Sequence, residues 1–410
     1  MRFDQLSSQS TRAATGCAIA LGFSIPVSVA LDNILLAAVL LLWLVGAGFR
    51  EKLMWLREIR VTHAAIALFV LLAAGIAWST QPGEGFHILG KYADLAFIPI
   101  FATLFRSQRN RRLAGLFFVT AIVVTLVLSY LIWMGLLSIA VPANEFDVIQ
   151  PEVFKKYLTQ SILMACSTYV FSLLSRDAIL PRMKILWGLL AALCAVNVIV
   201  MLPGRSGQIV LAALALVFAI SRRRSKGIWA VTAVLVLAAS AILLGYAPEN
   251  SRINTAIKDF KSWRLGQASN TSTGQRLDYA TRSAAIVIAH PWIGVGTGGF
   301  AAAYAHQVEG TNLEATVNPH NEYLNLAVQL GIAGPLAACL LFFLVWRHAR
   351  ALPTALERDL ARGLAVTFAV GCLFNSLLMD HVEGLFFAWS AGVLFGGYNP
   401  AQLQSAHIRS

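Results

Sequence analysis

Apolar runs of membrane-spanning length recur along most of this 410-residue chain, and they constrain its fold more than any other feature. A bilayer core about 30 Å thick needs roughly 20 consecutive apolar residues in helical form. Helices also pair their own backbone polar groups, as a chain in lipid must. The runs predict spans near 13–31, 33–49, 62–78, 88–105, 113–141, 157–175, 185–202, 208–220, 228–247, 320–345, 360–379 and 384–399. The expected fold is an all-α polytopic membrane protein with about 12 transmembrane helices. A single soluble core is excluded, because charged residues are only 13% of the chain against about 25% in a soluble domain. Cys17, Cys166, Cys194, Cys339 and Cys372 all fall inside predicted spans without CxxC spacing, which fits small buried hydrophobes and no disulfide framework.

The net charge of +12 could suggest nucleic acid, but its distribution points to the membrane. Segments on one side of the predicted spans carry 22 Lys and Arg, and those on the other carry ten, six of them in the loop 248–319. Long loops orient topology weakly, so the short loops decide, and they place both termini in the cytoplasm. Ser28-Val29-Ala30 loosely resembles a signal-peptide cleavage site, but the polar stretch before the first span is long for such a leader. The first span is therefore read as retained.

Most connections are short, as helix hairpins require. Residues 1–247 hold the first nine predicted spans, 248–319 form a non-cytoplasmic loop domain, 320–399 hold the last three spans, and 400–410 are a cytoplasmic tail. A second, smaller non-cytoplasmic segment, Pro142 to Lys156, is acidic. Within the loop domain, Ser251 to Leu265 reads as an amphipathic interfacial helix with Ile253, Ile257, Phe260 and Trp263 on one side. Thr271 to Thr273 are helix-capping types, and Gly274 to His290 reads as a second helix ended by Pro291. The glycines from Gly294 to Gly299 lack a strand–helix context, so a dinucleotide site is weakly supported.

Three elements that can carry chemistry converge on the non-cytoplasmic face. The turn Pro203-Gly204-Arg205-Ser206-Gly207 puts a guanidinium at headgroup depth. There it can grip a phosphate through two parallel hydrogen bonds or simply satisfy helix-end carbonyls. Arg276 shares a helix face with Tyr279 and Ser283. It is either a second phosphate ligand or a solvated charge, and the helix is expected to pack on the membrane domain through Leu277, Ala284 and Ile288. The third element is Asn318-Pro319-His320-Asn321-Glu322-Tyr323-Leu324. With Asn318 as N-cap and Pro319 first in the helix, His320 would sit in the first turn, where the helix dipole favours a neutral, proton-accepting imidazole. Asn321, Asn325 and Gln329 would follow as a polar stripe facing the bundle interior. The competing reading of His320 is a structural helix-start residue.

Lys91, Asp94, Asp380, His381 and Glu383 form a further polar group that could line a cavity with Tyr279, Asn321 and Tyr323, or be an ordinary interfacial cluster. The sequence has no Asp-x-Asp, no HExxH and no clustered His/Cys set, so a metal has no obvious ligands. It also has no phosphate loop for nucleotide hydrolysis and no GxSxG elbow.

The arginine turn (203–214), the stretch Gly274 to Phe300 with His290-Pro291-Trp292-Ile293-Gly294-Val295-Gly296, and the block Pro319 to Gly331 resemble, in this order, the O-antigen ligase and polymerase superfamily. The resemblance covers roughly 200–335, with the N-terminal half agreeing only in hydropathy, and is most like the ligase. It implies a GT-C-like membrane glycosyltransferase in the bacterial inner membrane, with a periplasmic active site and an undecaprenyl-diphosphate-linked glycan as donor. The acceptor it implies is lipid A-core, and transfer needs no metal or other cofactor. On that resemblance His320 is the base, and Arg205 and Arg276 hold the diphosphate. Polymerase and protein O-oligosaccharyltransferase are the alternatives within the superfamily. A polysaccharide flippase is the alternative outside it, but would place its polar sites near the midplane.

Overall fold

A computed structural model describes residues 2–46, 48–137, 151–202, 204–221, 260–261, 263, 271–311 and 313–401. The predicted span 228–247, most of the Ser251–Leu265 helix and residues 142–150 of the acidic segment lie outside the described residues. Within them the chain is helical, with no strand. Helices α1 (Arg2–Val27) and α2 (Val29–Val45) are separated at Ser28, whose hydroxyl caps α2 by accepting from the Leu31 amide. There follow α3 (Phe49–Leu56), α4 (Arg60–Gly75), α5 (Pro82–Lys91), α6 (Asp94–Leu104), α7 (Gln108–Trp133), α8 (Tyr157–Asp177), α9 (Pro181–Val196) and α10 (Arg205–Ile220). The C-terminal part contains α11 (Ser272–Ala289), α12 (Phe300–Val308), α13 (Glu322–Leu330), α14 (Ala333–His348), α15 (Ala355–Gly371) and α16 (His381–Phe395).

Among the described residues, four helical segments are long and apolar enough to cross a membrane: Arg60–Trp78, Gln108–Trp133, Tyr157–Asp177 and Pro181–Met201. A fifth arises if α2 and α3, bent by 112° at their break, are one span. Helices α10 and α16 are apolar but shorter. Large apolar side chains such as Leu41, Val127, Leu189 and Leu340 are exposed on the outer faces, as lipid-facing residues are and as a soluble surface is not. The protein is thus a helical membrane protein.

Three predicted spans are shorter or more broken than their hydropathy implied. The run 88–105 is interrupted at Tyr92 and Ala93, so Lys91 ends α5 and Asp94 starts α6. The run 320–345 is two helices, broken at Gly331 with φ 62°. A Cβ there would collide with the Trp292 backbone, so only glycine fits. The run 360–379 is helical only to Gly371, and residues 372–380 form turns. Hydropathy reads the apolar character of a stretch and not its backbone, and each interruption lies within a largely apolar run that hides it.

Helix α1 packs on α2, α7 and α16, with Ala14, Ala18, Leu21 and Ile25 fully buried and the Trp389 indole donating to the Ala18 carbonyl. Phe118, Phe368, Phe386 and Phe387 stack at the centre. At one end of the bundle a Thr354–Glu357 capping box starts α15, and Glu357 also accepts from Arg111 of α7 at 2.8 Å. From there α15 runs 17 residues to Gly371, about 25 Å. Gly371 lies at the opposite end, where α13 and α16 begin, and that end carries the candidate site.

Candidate active site

Helix α13 is capped by Asn321, whose side-chain oxygen accepts from the Leu324 amide at 3.0 Å. This corrects the expected cap at Asn318. The Asn318 side chain instead accepts from the His320 amide at 2.9 Å and from the Ser376 hydroxyl at 2.7 Å. His320 therefore stands just outside the helix with φ 52°, alone among the described non-glycine residues in a left-handed conformation. Such a backbone costs of order 1–3 kcal/mol and persists only where neighbours enforce it. The two bonds to Asn318 do so here. They also remove the dipole argument, because His320 is not in a helical turn.

The imidazole is oriented by side chains. His320 Nδ1 lies 3.2 Å from Asn375 Oδ1, and Asn375 Nδ2 donates to Asp380 Oδ2 at 3.0 Å. A carboxylate only accepts, so it fixes the Asn375 amide with its NH₂ toward Asp380 and its oxygen toward His320. That oxygen accepts in turn, so the proton of the neutral ring belongs on Nδ1 and Nε2 keeps its lone pair. The exposed ring is thus prepared to take a proton at Nε2. Burial pushes the Asp380 carboxyl up from its ordinary value, opposed by His320, Lys91 and the Asn375 hydrogen bond.

Glu322, which sequence reasoning passed over, holds the 372–380 turns in place. It is fully buried, accepts from the Tyr92 hydroxyl and from the Leu378 amide at 2.9 Å, and donates its own amide to the Cys372 carbonyl at 2.9 Å. A buried carboxylate is tolerated only when its oxygens are satisfied, and these partners tie α5, α13 and the 372–380 turns into one unit. Asn325 donates to the Tyr92 hydroxyl at 3.1 Å, and Gln329 donates to Asn325 Oδ1 at 3.0 Å. The inward polar face of α13 is therefore 322, 325 and 329. Asn321 lies off it, capping the helix and donating to the Leu373 carbonyl.

The loop helix α11 lies over this end, with the Tyr279 ring 6.0 Å from the His320 ring. Its packed face contains the fully buried Ser283 and also Ile286, which packs with Tyr304 and Val328, while Ile288 is 79% exposed. The expected face through Leu277, Ala284 and Ile288 is therefore wrong. Arg276 stands about one turn before Tyr279 on the same helix face. The Arg276 side chain is exposed. The glycine segment anchors the loop domain: Val295 and Gly296 donate to the carbonyls of Val328 and Gln329, and the Thr297 hydroxyl donates to that of Leu72.

Arg205 is the first residue of α10 and is exposed. Val210, about one turn further on, meets Gly371, so the Arg205 end of α10 lies at the site end of the bundle. Gly204 and Gly207 seat that helix start against Ser161 of α8, with no room for a Cβ. Lys91 acts electrostatically on Asp380. His381 pairs with Asp94 at 3.3 Å. The Tyr323 hydroxyl donates to the Ala369 carbonyl at 2.8 Å, which ties α13 to α15. Among the described residues no group of three or more His, Cys, Asp and Glu is placed to hold a metal ion.

Residues 190–339 match the O-antigen ligase family model. This stretch is thus similar to the O-antigen ligase family domain. It contains Arg205, Arg276 and His320, while Asn375, Asp380 and Lys91 lie outside it and reach the site through the fold. No curated protein matches the chain. Members of the family are membrane glycosyltransferase-type enzymes. Two residues central to this geometry, Glu322 and Asn375, left only a faint mark in the sequence: an acidic residue beside a predicted cap, and a polar pair, Asn375-Ser376, inside an apolar run.

Proposed function

We propose that the protein is an O-antigen ligase, transferring a glycan from undecaprenyl diphosphate onto lipid A-core at the periplasmic face of the bacterial inner membrane, with both termini cytoplasmic. The observation that carries the reading is the His320–Asn375–Asp380 chain within and beside an O-antigen ligase family domain. In this mechanism an acceptor hydroxyl attacks the anomeric carbon of the donor, and His320 Nε2 takes its proton as the new C–O bond forms. The bond from the anomeric carbon to the diphosphate oxygen breaks on the opposite side, so the anomeric configuration inverts. Negative charge then grows on the departing undecaprenyl diphosphate, and Arg205 and Arg276 stabilise it through paired N–H donors. Asp380 stabilises the imidazolium through the Asn375 amide without itself taking the proton. Lys91 adds positive charge at the same end of the bundle. The reaction as drawn uses no metal ion or nucleotide.

The test is genetic. A deletion strain should lose glycan attached to lipid A-core while polymerised glycan accumulates on its lipid carrier. Accumulation of single unpolymerised repeats instead would assign the protein to chain extension and refute the ligase reading.

A further inference from the structure

A cavity of about 610 Å³ opens between α7, α8, α15 and α16 at the end of the bundle away from His320. Helix α15 contributes Thr354 to Thr367 to its lining and ends at Gly371 beside the candidate site. Helix α16 starts beside the site at His381 and reaches the cavity only from Phe386 to Leu394. The cavity is therefore separate from the site, and its walls are mainly aliphatic and aromatic. Its charged lining residues are at helix ends: Arg111 and Arg112 near the start of α7, Asp177 at the end of α8 and Glu357 near the start of α15.

Most of that charge is internally balanced. Arg111 pairs with Glu357 at 2.8 Å, and Asp177 pairs with Arg176 at 2.6 Å. Arg112 is exposed and has no ion pair or hydrogen bond among the described residues. An apolar slot with one uncompensated guanidinium at its polar rim matches an amphiphile with an anionic head. The glycan donor does not fit, because its phosphates must lie at the His320 end. We propose that this cavity binds an anionic glycerophospholipid, its acyl chain between α7 and α15 and its headgroup phosphate on Arg112. Under the topology proposed above, that lipid belongs to the cytoplasmic leaflet. The binding itself does not depend on that assignment.

The experiment is native mass spectrometry of the full-length protein from nanodiscs holding equal phosphatidylglycerol and phosphatidylcholine. Wild type should retain phosphatidylglycerol about fivefold over phosphatidylcholine, the worth of a single basic side chain near an anionic headgroup. Arg112→Gln should abolish the preference. Gly115→Leu should lower retention of both lipids, because it projects into the cavity from a helical position where a new Cβ meets nothing within 4 Å. The two variants act independently, so a folding defect in one leaves the other as a test. Equal retention of the two lipids by wild type, wild-type behaviour in both variants, or retention of an adventitious additive only, such as detergent, would overturn the proposal.

Discussion

Asn375→Ala isolates the orienting chain from the base itself. It removes the acceptor at 3.2 Å from His320 Nδ1 and the donor at 3.0 Å from Asp380. His320 and both arginines remain in place. Each hydrogen bond of this kind is worth about 0.5–1.5 kcal/mol net, so losing the one that selects ring tautomer and direction should reduce the competent population by about one order of magnitude. Removing the base altogether should cost roughly 10²–10⁴-fold. The assay is steady-state transfer by purified protein with lipid-linked donor and acceptor, with kcat and the donor KM measured across pH. The loss should fall on kcat with KM little changed, because the interaction serves proton transfer more than donor binding. Wild-type kcat in Asn375→Ala, or a loss confined to KM, would refute the orienting role.

Other perturbations test the supporting structure. Tyr92→Phe leaves one oxygen of the buried Glu322 carboxylate without its hydroxyl partner and should lower stability by about 1–3 kcal/mol, read as a reduced melting temperature in detergent. Burial raises the Asp380 carboxyl, so its stabilising contribution is complete below the unfolded carboxylate range and is lost as pH rises through the folded value. Asp380→Asn should therefore melt no lower than wild type at neutral pH while transferring more slowly, and a clear loss of stability would contradict this. Arg205→Lys and Arg276→Lys should each slow transfer, since an ammonium cannot reproduce bidentate phosphate geometry; rates equal to wild type would remove that residue from the phosphate site. A cysteine at the exposed Glu314 should label with an impermeant maleimide in intact spheroplasts, and labelling only after lysis would invert the topology.

The helical membrane character was legible because bilayer-length apolar runs leave a chain few options, and His320 was singled out as a candidate because a polar block at a predicted membrane boundary stands out. The sequence did not reveal how His320 is held. Asn318 and Asn321 are both capping residue types, and which of them caps depends on partners 50 or more residues away: Ser376 and Leu373. The three-residue shift of the cap moved Glu322 inward and Asn321 off the buried face. Asn375 was hidden by its surroundings, since the run through 379 stays apolar although its helix stops at Gly371. The packed face of α11 was misassigned for a similar reason. The polar Ser283 is fully buried beside Ile286, which packs with Tyr304 and Val328, while Ile288 faces outward.

Whether His320 removes the acceptor proton is measured directly by the transfer rate of His320→Ala against wild type at matched amounts of folded, purified protein. The rate should fall roughly 10²–10⁴-fold, with donor binding retained. Transfer at the wild-type rate would contradict that role and leave His320 as the residue that shapes the entry to α13.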